Sequence, residues 1–410
     1  MFSSSEPRSR SLKSQFTRLA RLVSHLMALS LLARMSLRLI VNLRFLQAAR
    51  RIPSLPACPL PHVSVLVPAR NEAATIGACV TSLLSQTYPK MEVLVLDDGS
   101  TDGTSQQLDA LKSLYPQLTV IYTTNNPPSG WNGKSYACHR LAQRATGEWL
   151  LFTDADTIHA PTSVERGVIQ ACALHADLLS AFPSQRVETW SERFLVSFVM
   201  NFLPLTTINL AAMWRGRSRH LLANGQYLLA RAQTYNALGG HAAIAHALVD
   251  DFALARRFSV GGYTVALVDG TPMLECRMYR SFREVWEGFS KNLLIALTSS
   301  PAFFSPAASA TSLGRNVLAN LLRAPLFAWG YACVFVLPFV RMLRCEQRSV
   351  AIFEACWLLL LRSVVARHLK RPPDEIVTTP LAAWGVMAIS LGALFRRWRG
   401  QWIAWKGRLY

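Results

Sequence analysis

The sequence predicts an α/β fold, a mostly parallel sheet with helices on both faces, flanked by hydrophobic membrane-associated helices at the N- and C-termini. Three observations carry this. Between residues 62 and 181, apolar runs of strand length alternate with amphipathic stretches of helix length, the pattern of βαβ units. Acidic residues recur at the ends of the apolar runs, and open parallel sheets bind ligands outside the carboxyl ends of their strands. The 410 residues are 51% hydrophobic and only 16% charged, below the roughly 25% of an ordinary soluble domain.

Lys and Arg number 43 and Asp and Glu 24, a net charge of +19. The high hydrophobicity excludes a disordered tail protein. High net charge on a charge-poor chain points to an anionic membrane as partner. No nucleic acid is expected, because the charge concentrates at the termini next to apolar segments. The eight cysteines form no CxxC pair and no His/Cys cluster with zinc spacing, so they read as buried free thiols.

The elements follow in order. Residues 1–51 hold nine Arg, one Lys and one Glu. Arg34 and Arg38 stand one helical turn apart within an apolar pattern from Leu19 to Ala49. The segment is either an amphipathic helix in the interface or a membrane anchor. Residues 52–61 carry four prolines and read as a linker. Val63–Val67 is a buried strand. Ala74–Gln86 is a helix with Ile76, Val80, Leu83 and Leu84 on one face. Met91–Leu96, Leu118–Tyr122 and Trp149–Thr153 are further strands. Thr104–Leu114, Gly133–Thr146 and Thr162–His175 are helices, and Asp177–Ala181 returns to extended chain. Phe194–Trp214 is an uncharged run of 21 residues, read as a helical segment against the membrane or over the active site. Ala324–Val340 and Ile376–Phe395 are uncharged runs of 17 and 20, with Ser349–Val365 apolar but broken by Glu354 and Arg362. Residues 317–395 are therefore membrane-associated and 396–410 form a basic tail. Either count of C-terminal spans, two or three, strains the positive-inside rule.

The candidate chemistry lies at strand ends. Asp97-Asp98-Gly99-Ser100 follows the second strand, where a carboxylate can hold a base or ribose, although Asp-Gly also makes ordinary turns. Asp154-Ala155-Asp156 follows the fourth, and i and i+2 side chains of extended chain share a face. Two such carboxylates suit a divalent cation, Mg²⁺ or Mn²⁺, bound together with phosphate oxygens. Gly130-Trp131-Asn132-Gly133-Lys134-Ser135 lacks the first glycine of a P-loop, because residue 128 is proline. Lys134 at a helix start is either a diphosphate ligand or a solvated lysine. Asp250-Asp251 open a helical pattern, one fit to cap it and the other to act as general base. Arg277 to Arg283 with Trp286 interleave arginine and aromatics, as a sugar-phosphate surface or a membrane belt would.

These elements, in this order and spacing, resemble the inverting glycosyltransferases of family 2, whose Rossmann-like architecture is the GT-A fold. The resemblance rests on Val65-Leu66-Val67-Pro68-Ala69-Arg70-Asn71-Glu72, Asp97-Asp98-Gly99-Ser100, Asp154-Ala155-Asp156, Asn224-Gly225-Gln226-Tyr227 and Asp250-Asp251, and covers residues 62–295. The Gly-Trp-Asn-Gly-Lys segment and the apolar C-terminal part look most like membrane-bound members that glycosylate carotenoids and related lipids. The resemblance implies a nucleotide-sugar pocket of Pro68, Arg70, Glu72, Asp98, Lys134 and Asp154. It implies a metal on Asp156 and Asp154, and catalysis at Asp250-Asp251 with Asp251 as base. It further implies that Gln226, Arg280 and Trp286 lie in the acceptor and sugar region. The QxxRW motif of processive synthases is not reproduced, which favours transfer of one hexose, from a UDP-glucose-like donor, to a lipid or carotenoid acceptor. The protein is expected in the cell membrane, multi-pass, with its catalytic domain facing the cytoplasm. A polyprenyl-phosphate or ceramide-type sugar transferase is the alternative acceptor class. A non-enzymatic basic membrane scaffold with a degenerate GT-A fold is the alternative outside enzymes.

Overall fold

The computed structural model describes residues 6–50, 60–123, 126–218, 221–247, 249–298, 328–343, 348–399, 404–405 and 408–409. All but the last two residues of the expected 52–61 linker lie outside these. So does much of the expected 317–395 segment before residue 328.

The chain opens with one long helix, α1 (Glu6–Arg50). Then come β1 (Val63–Ala69), α2 (Ile76–Leu84), β2 (Met91–Asp98), α3 (Thr104–Leu114), β3 (Leu118–Thr123), α4 (Gly133–Ala142) and β4 (Trp149–Phe152). These match the elements read from the sequence, with ends moved by a few residues. Val63, Val65 and Val67 of β1 enter one core cluster and Leu66 enters another. Both faces of the strand are covered, which is why it reads as an unbroken apolar run. The parallel register from Val63↔Met91 to Ala69↔Asp97 brings the carboxyl ends of β1 and β2 to one edge.

The second half is less regular. It holds β5 (Thr157–His159), α5 (Ser163–Ala173), β6 (Leu178–Gln185), α6 (Leu203–Thr207), α7 (Leu210–Trp214), β7 (Leu228–Arg231), α8 (Ala232–Ala237), α9 (Asp250–Val260) and β8 (Val265–Cys276). The eight strands form one sheet in the order β3-β2-β1-β4-β7-β6-β8-β5. Four pairings are parallel and three antiparallel, so the sheet is mixed and mostly parallel. The antiparallel ones come from β5 and β7, short strands that the sequence pattern does not announce.

Phe194–Trp214 is helical, as expected, but not one continuous helix. It continues from β6 as π-helical turns (Glu192–Val196 and Phe198–Phe202) into α6 and α7. Phe194, Leu195, Phe198 and Phe202 are buried in the cluster that joins the sheet domain to the terminal helices.

Those helices are α1, α10 (Phe282–Thr298), α11 (Leu337–Met342), α12 (Arg348–His368), α13 (Asp374–Val377) and α14 (Thr379–Trp398). On α1, Leu32, Met35, Leu39, Asn42, Leu46 and Ala49 recur every three or four residues and are all buried. Asn42 fastens this stripe: its Nδ2 donates to Leu205 O (2.8 Å) and Ile208 O (2.6 Å), and its Oδ1 accepts from Leu210 N (2.9 Å). Arg50 pairs with Asp269 of β8. His25 of α1 meets Glu354 of α12 at 2.7 Å. Arg362 of α12 donates to Ser197 Oγ (2.9 Å) and pairs with Glu375 (3.4 Å). Two described helices are long and apolar enough to cross a membrane, Gln15–Arg50 and Arg348–His368. Their outer faces expose Phe16, Leu19, Leu22 and Leu26, and Phe353, Leu360 and Val364.

Candidate active site

The edge where β1, β2 and β4 end is built from three loops. Asn71 follows β1 with φ 53, a left-handed position that asparagine tolerates. Its Oδ1 accepts Thr101 N–H (2.9 Å), and its own N–H reaches Ser100 Oγ (2.9 Å). Glu72 N–H donates to Thr104 Oγ1 (2.8 Å), and Glu72 Oε2 accepts from Thr75 (3.0 Å). The β1–α2 and β2–α3 loops are thus tied together. Beside them Arg70 Nη1 donates to Asp98 O (2.6 Å) and lies 3.8 Å from Asp98 Oδ2. Pro68, half-buried, pairs with Leu96 across the ladder. Pro68, Arg70, Glu72 and Asp98 therefore share one edge. Asp97, next to Asp98, is spent on structure: it accepts from Ser100 N–H (3.0 Å) and Ser105 Oγ.

After β4 the chain turns tightly through Asp154-Ala155-Asp156 into β5. Thr157 Oγ1 (2.7 Å) and Cys79 Sγ (3.7 Å) both donate to Asp154 O. Thr153 Oγ1 donates to Gln226 O (2.8 Å). Asp156 lies beside Cys276, whose thiol is pushed well up by burial first and then by the Asp156 and Asp154 carboxylates. Two carboxylates on one short turn form a hard oxygen donor set that fits Mg²⁺ or Mn²⁺.

Lys134 joins this edge to the second half of the molecule. Asn132 caps α4 by accepting Lys134 N–H (3.0 Å), which fixes the lysine at the helix start. Lys134 Nζ stands 2.6 Å from Asp154 Oδ1 and 3.7 Å from Asp250 Oδ2. Burial pulls the lysine's pKa down, but Asp154, then Asp250 and Asp251, more than offset this and hold it well above the ordinary value. It is an ion-paired cleft lysine rather than a solvated one.

The capping role expected for one of the two acids is not found. Val249 is the N-cap of α9, and no side chain caps the helix. Both acids sit in the first turn, where the helix dipole favours negative charge. Asp250 faces Lys134. Asp251 Oδ2 accepts Gly225 N–H (2.8 Å), and its Oδ1 accepts Phe252 N–H (2.7 Å). Burial, then the charge of Asp250, pushes Asp251 up to about 7, against the opposing pull of Lys134 and the two backbone donors. A base of that pKa is half ionised at neutral pH, where general-base catalysis is most effective.

Gly225 is a site residue that motif reasoning quoted but gave no role. A Cβ there would stand 3.0 Å from Lys134 Nζ and 3.4 Å from Asp251 Oδ2. Gln226, expected in the acceptor and sugar region, is 2% exposed. Its Nε2 donates to Cys276 Sγ (2.8 Å), and its Oε1 accepts from Gln185 (3.3 Å). Arg280 and Trp286 are not brought to the acids by their hydrogen bonds. Arg280 N–H donates to Glu284 (2.9 Å), and Trp286 O accepts from Ser290 Oγ (2.6 Å). Trp286 also lies against Gly392 of α14.

The sheet domain is similar to known proteins. Residues 64–227 match the family model described as Glycosyl transferase family 2. Residues 64–227 are thus similar to the family 2 glycosyltransferase domain. Similar curated proteins include 4,4'-diaponeurosporenoate glycosyltransferases of Staphylococcus aureus. The one from strain USA300 is 27% identical over 234 residues, 56% of this chain and 60% of the relative. That from strain MRSA252 is 28% identical over the same length. The chain thus spans about 60% of the length of the relatives it matches. Among solved structures, the mannosyltransferase PcManGT from Pyrobaculum calidifontis, in complex with GDP-Man and Mn²⁺, aligns with a TM-score of 0.53 at 19% identity. The alignment covers 91% of this chain and 99% of that one, a likeness of fold that includes the GT-A sheet.

Proposed function

We propose that the protein transfers a single hexose from a nucleotide sugar of the UDP-glucose kind to a lipid-like acceptor, a carotenoid or related molecule, with inversion. The observation that carries this is the constellation of Asp251, Gly225 N–H, Lys134 and Asp154 in one cleft at the sheet's carboxyl edge. Asp251 takes the proton of an acceptor hydroxyl as that oxygen attacks the anomeric carbon; a carboxylate acceptor, already ionised at neutral pH, attacks without this transfer. The bond from this carbon to the diphosphate oxygen breaks in the same displacement, which inverts the centre and frees the nucleoside diphosphate. Lys134 and Arg70 offset the charge that develops on the leaving group. Pro68, Arg70, Glu72 and Asp98 line the nucleotide pocket. Asp156 and Asp154 would hold Mg²⁺ or Mn²⁺, which supplies Lewis-acid stabilisation of the diphosphate.

The remaining organisation fits such a task. Residues 62–295 are the catalytic domain. α1 and the helices within 317–395 hold it at a membrane, multi-pass, with the active site on the cytoplasmic face where nucleotide sugars are made. The apolar side chains exposed on α1 and α12 support this, because such patches mark membrane or partner contacts. The acceptor class is read from the relatives, which act on a carotenoid acid by name. The test uses the full-length protein in lipid vesicles with a panel of nucleotide sugars and lipid extracts. Nucleoside diphosphate release that depends on a lipid extract, with a matching glycolipid by mass spectrometry, is the expected result. Release that never depends on any lipid fraction overturns the reading.

A further inference from the structure

We propose that Cys138, His241 and Asp250 form a zinc site behind the catalytic cleft. The residues come from three elements that neighbour each other only in the fold: α4, the 3₁₀ turn Gly240–Ile244 and the first turn of α9. One donor atom from each, a thiol sulfur, an imidazole nitrogen and a carboxylate oxygen, lies within 4.8 Å of the other two. Exposure is 1% at Cys138, 1% at His241 and 8% at Asp250.

Donor chemistry selects the ion. Thiolate with imidazole and one carboxylate is a borderline-soft set that suits zinc, with a water completing four-coordination. The Asp154-Asp156 turn is all hard oxygen and suits Mg²⁺ or Mn²⁺. The two sites therefore differ in the metal they take.

A second observation concerns His241. Its Nδ1 lies 2.8 Å from Tyr235 Oη, and its ring packs 4.8 Å from that of Phe152. With Nδ1 engaged, Nε2 is the nitrogen left to ligate. Metal-bound histidines are held in this way, by a partner on the far ring nitrogen that fixes tautomer and orientation. Zinc displaces the Cys138 thiol proton, which leaves to solvent, and a sulfur–zinc bond forms. The ion's two positive charges then match one thiolate and one carboxylate, so the assembled cluster is neutral in a buried place. With no cation on Asp154, Lys134 has that carboxylate as its partner, at 2.6 Å.

Such an ion would clamp α4, which begins at Gly133, to the turn that presents Asp251. No sequence spacing gives it away, because 103 residues separate Cys138 from His241 and nine separate His241 from Asp250.

The experiment is zinc analysis by mass spectrometry on the full-length chain, purified in detergent and passed through zinc-free buffer. One zinc per chain is expected, either as isolated or after incubation with zinc chloride. A strong chelator should strip it and lower the unfolding midpoint, and zinc should restore both. Cys138→Ser and His241→Gln should lose the ion, whereas Asp156→Ala and Cys356→Ser should keep it. Tyr235→Phe should weaken zinc affinity about 10–100-fold, as loss of such an outer partner does. Parent protein that takes up no zinc and whose midpoint ignores the chelator overturns the proposal, whatever the variants do. Zinc retained in folded Cys138→Ser overturns it too. Neither readout uses turnover, so the site stands or falls apart from the proposed reaction.

Discussion

Gly225→Ala perturbs the site by a single methyl group. The added carbon would lie 3.0 Å from Lys134 Nζ, 3.4 Å from Asp251 Oδ2 and 3.7 Å from Asp251 Cβ. Gly225 is not among the glycines with positive φ, so alanine meets no backbone strain there. The two contacts with Asp251 are ordinary; the one with the lysine is too close. Favourable separations start near about 3.5 Å, so the ammonium must retreat by roughly half an ångström. It sits at the end of a flexible side chain, and the cost in stability is well under about 1 kcal/mol. The consequence for chemistry is larger. A misplacement of about 1 Å can cost about 10²-fold in rate, so half of that predicts a fall in kcat of about tenfold, or roughly 1.4 kcal/mol of barrier. The assay is steady-state sugar transfer by parent and variant, beside their thermal unfolding. An unchanged midpoint with kcat down about tenfold is expected. Parent-like kcat would refute the claim that the Lys134–Asp251 spacing matters. A collapsed midpoint would refute the claim that only the soft end of the lysine must move.

Four further outcomes follow from the same geometry. Asp251→Asn keeps the shape of the base without its basicity and should cut turnover about 10²–10⁴-fold, with nucleotide-sugar affinity nearly unchanged by calorimetry. Asp250→Asn should cost much less, and the reverse ranking would swap the two roles. Because Asp251 is raised to about 7, activity should climb with pH through about 7 as the base loses its proton. In protein stripped of zinc, Asp250→Asn should move that limb down, since the charge of Asp250 is the second cause of the shift after burial; a limb centred near 4 would deny Asp251 the role. For stability the sign is opposite: between the ordinary aspartate value and about 7 the folded state holds a proton that the unfolded chain has released, so this group lowers stability as pH rises through that window. Excess chelator should abolish transfer and Mn²⁺ or Mg²⁺ restore it, and full activity under chelation would remove the metal from the reaction. The protein should stay in the membrane pellet through a high-salt wash, because apolar insertion is not screened as surface charge is; release by salt alone would contradict anchoring by α1 and α12.

What could be read in the sequence depended on range. β1, β2 and β4 are buried on both faces, so Val63–Val67, Met91–Leu96 and Trp149–Thr153 announce themselves as apolar runs, and their ends carry Asp98, Asp154 and Asp156. β7 is four residues long, and β8 contains Gly270 and Pro272, so neither has a pattern to detect. The run Phe194–Trp214 suggested lipid because burial under other helices and burial in a bilayer demand the same side chains. Gln226, expected with the sugar, spends its side-chain amide on Cys276 Sγ and Gln185, partners that only the fold brings together. The cluster of Cys138, His241 and Asp250 needed the fold itself, since contacts across a hundred residues leave no local signature.

The charge around the cleft explains why its parts are arranged as they are. A nucleoside diphosphate is an anion, yet the donor site proposed here is lined by Asp98, Asp154 and Asp156. Arg70 and Lys134 are themselves already drawn to acids, Arg70 to Asp98 and Lys134 to Asp154 and Asp250. Such a site repels the donor's diphosphate unless further positive charge arrives with it. A divalent cation on Asp154 and Asp156 would supply that charge and compete with Lys134 for Asp154, freeing the ammonium toward the leaving oxygen. Gly225 matters to this exchange because the absence of a side chain leaves Lys134 room to move, while its N–H keeps Asp251 fixed at 2.8 Å. On the proposed reading the acids would couple donor binding to metal binding, with Asp251 held by Gly225 N–H while Lys134 is free to move.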